Sequence, residues 1–173
     1  MAPDDELEFE EWYGAERRQL VASLVLVTGD LHRASDAADE AFVRAYERWS
    51  RVGGMASPTG WTYRVALNVV RRTERRRSIE ERLLRRKGPA RRDVDLPEPA
   101  VEAWRAVAAL PPRQRLAIVL RYVGDLTESD IARAMGVRRS TVSRTIEAAA
   151  SSLRAVLGED AALATSQEDW CGN

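Results

Sequence analysis

The chain has 173 residues, enough for one ordinary domain or two small ones and too few for most multidomain enzymes. Its 27 Lys+Arg equal its 27 Asp+Glu, which excludes a uniformly basic nucleic-acid coat, and 45% hydrophobic with 31% charged residues supplies a core rather than a disordered chain. No run approaches the roughly 20 apolar residues of a membrane span, and the acidic start MAPDDELEFEE is unlike a secretory leader, so a cytoplasmic protein is expected.

Nearly every segment repeats its apolar residues with helical period, and none alternates as a strand does. A first helix is expected over 6–27, with Phe9, Trp12, Tyr13, Leu20, Leu24 and Val27 on its apolar side. Gly29 then ends it and Asp30 caps the next. A second helix over 32–49 aligns Ala34, Ala38, Ala41, Phe42, Ala45 and Trp49, leaving Asp36, Asp39, Glu40, Arg44, Glu47 and Arg48 outside. Ser57-Pro58 supplies a cap and a first-position proline for a third helix reaching about residue 77.

That third helix carries the first candidate site. At about 100° per residue, Trp61, Arg64, Asn68, Arg71, Arg72 and Arg75 share one arc, while Tyr63, Ala66, Leu67, Val69 and Val70 occupy the other side. An indole among guanidinium groups can stack an unpaired base and hold the backbone beside it. The alternative is that Trp61 packs against a neighbouring helix and the arginines are simply solvated.

Residues 85–99 contain Gly88 and three prolines with almost no large apolar side chain, which predicts a flexible linker and two modules joined by a tether rather than by a packed interface. Its second half, Asp93-Val-Asp-Leu-Pro-Glu98, holds three acids and no base. Helices are expected beyond it over 101–110 and 113–123, separated by Pro111-Pro112.

The second candidate site lies past these helices. Thr127 can cap a short helix with Ile131, Ala132 and Met135 inward, Gly136 makes the turn, Val137 fills the corner, and Ser140 or Thr141 caps a second helix. The buried side of that helix reads Val142, Ile146, Ala149, Leu153 and Val156. This is a helix-turn-helix in spacing and residue type, with Arg138, Arg139, Ser140, Thr141, Ser143 and Arg144 at the tip of its second helix. Arginine there can reach guanine O6 and N7, and hydroxyls can bond phosphates or bases. The last stretch, 158–173, is expected to be disordered.

Charge divides along the same lines. Residues 1–50 hold 5 Arg against 12 acids, residues 51–92 hold 13 basic residues against 3 acids, and residues 93–173 hold 9 Arg against 12 acids, giving −7, +10 and −3. A basic block between acidic ones points to a polyanion site in the middle and a protein partner elsewhere. Lys87 is the only lysine, so the cations are arginines, suited to bidentate contacts with phosphates and base edges; a GC-rich genome gives the same bias.

The order of these features, Leu26-Val-Thr-Gly-Asp-Leu-His-Arg-Ala-Ser-Asp, Glu40-Ala-Phe-Val-Arg-Ala-Tyr-Glu-Arg-Trp, Pro58, Trp61, Arg64-Val-Ala-Leu-Asn68, then LPPRQRLAIVLRYVGDLTESDIARAMGV and RSTVSRT, resembles the extracytoplasmic-function (ECF) sigma factors of bacterial RNA polymerase, and among them an actinobacterial SigE-like branch. The resemblance spans about residues 8–157. It implies an all-α fold of two small helical domains, a four-helix region 2 over 5–84 and a helix-turn-helix region 4 over 100–157. It implies that region 2 binds the polymerase clamp through its second helix (Asp36, Asp39, Glu40, Phe42, Arg44, Tyr46, Glu47) and melts and reads the -10 element through Trp61, Arg64, Asn68, Arg71, Arg72 and Arg75. Region 4 would read the -35 element through residues 138–144, and the linker would thread toward the polymerase cleft, where its acids could imitate an RNA backbone. An anti-sigma partner is left open.

The sequence departs from that family's pattern in three places. Asp36-Ala-Ala-Asp-Glu40 stands for Asp-Leu-Val-Gln-Glu, Arg72 for an aspartate, and Ser143-Arg144 for Lys-Ser. A one-component helix-turn-helix regulator is the rival reading; it leaves the basic-aromatic face and the acidic helix without a use. An enzyme is not expected, because there is no Gly-rich phosphate loop, and the single His32 and single Cys171 offer no triad, disulfide or Cys/His metal cluster. No cofactor and no membrane insertion are expected.

Overall fold

A computed structural model describes residues 3–84 and 98–157. The described residues are helical and contain no strand. Helices α1 (Pro3–Thr28), α2 (Leu31–Tyr46), α3 (Trp49–Val52) and α4 (Pro58–Leu84) form the first group. The second group is α5 (Glu98–Ala109), α6 (Pro112–Ile118), a π-helical turn (Val119–Val123), α7 (Glu128–Met135) and α8 (Arg139–Leu157). Residues 85–97 and 158–173 lie outside the described residues, and with them the expected linker up to Leu96-Pro97, its RNA-like acids Asp93 and Asp95, and the tail. Glu98 and Pro99, expected in the linker, begin α5.

Local chemistry sets the helix ends. Gly29 adopts a left-handed φ of +67°, and the Asp30 side chain accepts the Arg33 N–H at 3.2 Å, capping α2. The second helix stops at Tyr46 instead of reaching Trp49, because Arg48 leaves helical geometry (φ −127°, ψ 21°) and α3 turns the indole inward. Trp49 thereby joins Ala45 and Val52 in a small core with Phe9, Trp12, Met55 and Trp61 packed on it. The third expected helix runs seven residues further than residue 77, to Leu84.

Helix α2 is lined with small residues, burying Ala34, Ala37, Ala38, Ala41 and Ala45 beside Phe42. Ala37 and Ala38 are 2% and 0% exposed, so the first departure from the family pattern is a close-packing device: two larger aliphatics would have to be fitted where α2 lies flush on its neighbours.

The expectation of two modules joined only by a tether is not met. One continuous core contains Leu20, Leu24, Tyr63, Leu67 and Val70 from the first group and Leu120, Leu126, Ile131 and Val142 from the second. The reason is the width of the apolar side of α4. Thr62, Val65, Ala66 and Val69 turn to one quarter, and Gly60, Tyr63, Leu67 and Val70 to the next. The second quarter meets several partners: Gly60 approaches Asp130 of α7, Tyr63 bonds Ser23 of α1 and lies against Gly124, and Leu67 and Val70 line a cavity with Val27, Pro112 and Leu116. Gln19 Nε2 donates to the Val123 carbonyl at 2.8 Å across the same seam, and Arg71 donates to the Ala134 carbonyl at 3.3 Å.

Candidate nucleic-acid interface

The helix-turn-helix forms as its sequence signals require. Thr127 Oγ1 accepts the Asp130 N–H at 3.2 Å and caps α7; Gly136 takes φ +71°, a conformation that costs other residues roughly 1–2 kcal/mol. Ile131 and Val142 are fully buried where the two helices meet, with Met135, Val137 and Ile146 packed around them. Two details differ from expectation. Helix α8 starts at Arg139, so Ser140 and Thr141 lie in its first turn rather than capping it, and Val156 is 72% exposed because the last turn of α8 projects past its neighbours.

Arg138, Arg139, Ser140, Thr141 and Arg144 are exposed, and Ser143 is half-buried. The tip is not uniformly cationic. Glu128 Oε2 accepts from Ser143 Oγ at 2.9 Å and from Arg139 Nε at 3.1 Å. The Ser143 hydroxyl and then the Arg139 guanidinium hold the Glu128 carboxyl below its ordinary range, so it stays ionised. Glu128 was not singled out in the sequence; a carboxylate one residue after a cap and eleven before an arginine is no local signal. Replacing it by glutamine should release Arg139 toward DNA. Binding should tighten several-fold at low salt and the salt slope steepen by about one, measured by titration in increasing chloride; unchanged slope and affinity would mean Arg139 never reaches the phosphates.

On α4 the predicted polar face is exposed at Arg64, Asn68, Arg71, Arg72 and Arg75. Trp61 differs: its ring is half-buried and packs on both core clusters, so only part of it is available for stacking. Neighbouring bonds organise the rest. Arg71 Nη1 donates to Asn68 Oδ1 at 3.2 Å, while Arg72 reaches both oxygens of Glu40 at 2.8 and 2.9 Å. The second departure from the family pattern has its reason in this pair, since an aspartate at 72 would face the Glu40 carboxylate that Arg72 now grips.

The acidic face of α2 is thereby uneven. Asp36, Asp39 and Glu47 are exposed, Asp39 pairing with Arg17 at 3.1 Å, but Glu40 is half-buried between Arg44 and Arg72 rather than standing free on the surface. His32 is an exposed residue in the first turn of α2, and among the described residues no group of His, Cys, Asp and Glu is placed to hold a metal ion. No described helix is long and apolar enough to cross a membrane.

Two family models match these same two halves: sigma-70 region 2 over residues 12–79 and sigma-70 region 4 over residues 100–153. The chain belongs to the sigma-70 family. Its relatives there include RNA polymerase sigma-E factors and proteins named as ECF sigma factors. It is 29% identical over 156 residues to the RNA polymerase sigma-E factor of Streptomyces avermitilis, covering 89% of this chain and 87% of that protein. It is 27% identical over 170 residues to the ECF sigma factor SigG of Mycobacterium tuberculosis, covering 81% of this chain and 46% of that longer protein. Among solved structures the sigma factor RpoE of Bartonella quintana, determined with the anti-sigma factor NepR, shares the fold with a TM-score of 0.69 over 88% of this chain and 98% of that one, at 19% identity. The chain is an ECF sigma factor, a protein that works with core RNA polymerase and promoter DNA in transcription initiation.

Proposed function

We propose that residues 5–84 form the module that docks on core polymerase and melts and reads the -10 element, that 85–99 connect, and that 100–157 read the -35 element. In this reading Asp36, Asp39, Glu40, Arg44 and Glu47 face the polymerase clamp. Trp61, Arg64, Asn68, Arg71, Arg72 and Arg75 hold the opened -10 strand, and Arg138, Arg139, Ser140, Thr141, Ser143 and Arg144 enter the major groove at -35. The protein acts in the cytoplasm, without catalysis of its own, and an anti-sigma factor is a further partner of the kind found with the Bartonella relative.

The observation that supports this assignment is the presence on one chain of two separate arginine-bearing surfaces, one beside an acidic helix and one on a capped helix-turn-helix. A one-component regulator needs only the second. Adding the purified chain to sigma-free core polymerase should give initiation from a specific start site; tight two-element promoter binding by the chain alone, with no gain from core polymerase, would favour the regulator.

The opening role predicts a template dependence. Arg75→Ala should slow open-complex formation severalfold on duplex promoter and much less on a template with a pre-melted bubble, because capture of unpaired bases offsets unstacking that the bubble already supplies. Trp61→Ala should share the duplex defect but also lose stability, since its ring packs in the core. Equal defects of Arg75→Ala on both templates would remove the strand-holding role.

A further inference from the structure

An apolar groove of about 290 Å³ opens between α5, the π-helical turn and the last two turns of α8. Trp104 and Val107 of α5, Val119 and Tyr122 of the turn, and Leu153 and Leu157 of α8 line it. Its origin lies in two apolar stripes that outrun their partners. Trp104 and Val107 are one turn apart on α5, in line with Leu110 just past its end, and Ala150, Leu153 and Leu157 recur at intervals of three and four along α8. The inner ends of the stripes close on each other, since Leu110, Ile118 and Ala149 are buried together with Leu153 packed beside them. The outer ends meet solvent: Ala103 is exposed, Trp104 is half-buried and Tyr122 is 55% exposed. Arg154 is the charged residue of the lining, exposed and without an ion pair among the described residues.

Beside this groove lies the chain's own continuation. Leu157 is both the last residue of α8 and part of the lining, and sixteen residues, 158–173, follow it in the sequence. The first of them is Gly158, the residue type that lets a chain leave a helix and reverse. The lining of α8 from Ala150 to Leu157 covers about 10 Å at about 1.5 Å per residue, whereas the stretch from Leu157 to Trp170 reaches about 43 Å when extended. Trp170 can therefore double back over the whole groove. Charge and polarity match as well. Glu159, Asp160, Glu168 and Asp169 give the segment four acids and no base, while Leu163 and Trp170 are its large apolar residues. An indole preceded by two carboxylates suits an apolar slot with a guanidinium at its edge.

We propose that the groove between α5 and α8 is the docking site of the chain's own residues 158–173, with Trp170 seated in it and the acids beside Trp170 facing Arg154. Tethering decides the occupant. A segment joined at Leu157 is held at roughly millimolar effective concentration, well above what a second copy reaches in solution. Composition alone pointed to a disordered tail, because the segment has too little apolar surface to fold by itself; the groove supplies the missing burial. Docking covers the apolar flank of the helix-turn-helix module and brings Cys171 to the groove's rim. It stands apart from the promoter assignments, since none of residues 138–144 lines the groove.

Cys171, next to Trp170, lets the full-length chain report its own docking. Ala103→Cys puts a second thiol at an exposed residue of the lining; Ala148→Cys puts one at an exposed residue of α8 about 160° round the helix from Ala150. With oxidised glutathione as the oxidant and the protein dilute, Ala103→Cys should close an intramolecular disulfide with Cys171 at least about tenfold faster than Ala148→Cys, the margin that seating adds to a shared tether. Adding Trp170→Ala should bring the two rates within about twofold of each other. Adding Arg154→Glu should narrow the gap part of the way, by setting like charges together. Equal rates in the two parents, or a gap that Trp170→Ala leaves untouched, overturns the docking. A disulfide that Ala103→Cys forms only between chains, faster as the protein is concentrated, gives the groove to a second copy and overturns it too.

Discussion

Asp36→Arg should raise the dissociation constant for core polymerase by at least roughly thirtyfold, the equivalent of about 2 kcal/mol, and remove promoter-specific transcription at ordinary protein concentrations. Asp36 is exposed on α2 and forms no ion pair among the described residues, so its reversal changes the docking face and little else. Thermal unfolding should stay within about 0.5 kcal/mol of the parent, as for other surface substitutions. Glu40 is the poorer probe. A lysine there would bring a third cation against Arg44 and Arg72, and the loss would mix docking with local repulsion. Undiminished core binding by Asp36→Arg would place the docking face elsewhere.

The second large effect belongs to α8. Arg138→Ala and Arg144→Ala remove exposed guanidinium groups that have no hydrogen bond or ion pair among the described residues, and each is free to meet DNA. One that contacts a base edge should cost about 1–3 kcal/mol and relax preference at a single promoter position; one on a phosphate should weaken all sequences alike and lower the salt slope by about one. Arg139→Ala should cost least of the three, since its guanidinium is already engaged by Glu128. Promoter selection and affinity unchanged in all three variants would show that α8 is not the reader.

Sequence features decided within a few residues were legible from the start. Thr127, Gly136 and the spacing of Ile131 and Val142 specify the helix-turn-helix locally, and Asp30 and Pro58 announce their helix starts in the same way. The core side of α4 was also legible as apolar, but which partner covers it was not. Tyr63, Leu67 and Val70 read equally well as facing α2 or anything else, and the deciding residues, Gly60, Gly124 and Asp130, matter only once distant segments meet. The break before Trp49 was hidden for a similar reason: the periodicity of α2 continues through it, and only the aromatic cluster with Phe9 and Trp12 makes the inward turn favourable. At the candidate site the exposed arginines were readable from helical phase, whereas their pairing with Glu128 and Glu40 depends on cross-helix distances that phase alone does not contain.

The π-helical turn at Val119–Val123 determines more than its own five residues. There the Gly124 N–H bonds the carbonyl five residues back, at 2.9 Å, so the chain is wound with one residue more than α6 would need. That surplus residue fixes the angle at which everything downstream leaves α6. Deleting one residue at exposed Arg121 would restore an ordinary helix and rotate α7 and α8 by about 100°, swinging the Val123 carbonyl off Gln19 and Gly124 off the Tyr63 ring. The Thr127 cap and the Ile131–Val142 contact between α7 and α8 would survive, but the cluster of Leu110, Ile118 and Ala149 that seats α8 on the upstream helices would part. A single-residue change in chain length at this turn therefore strikes two interfaces at once, the one toward α1 and α4 and the one between α8 and α6, a reach that no substitution of exposed Arg121 could match.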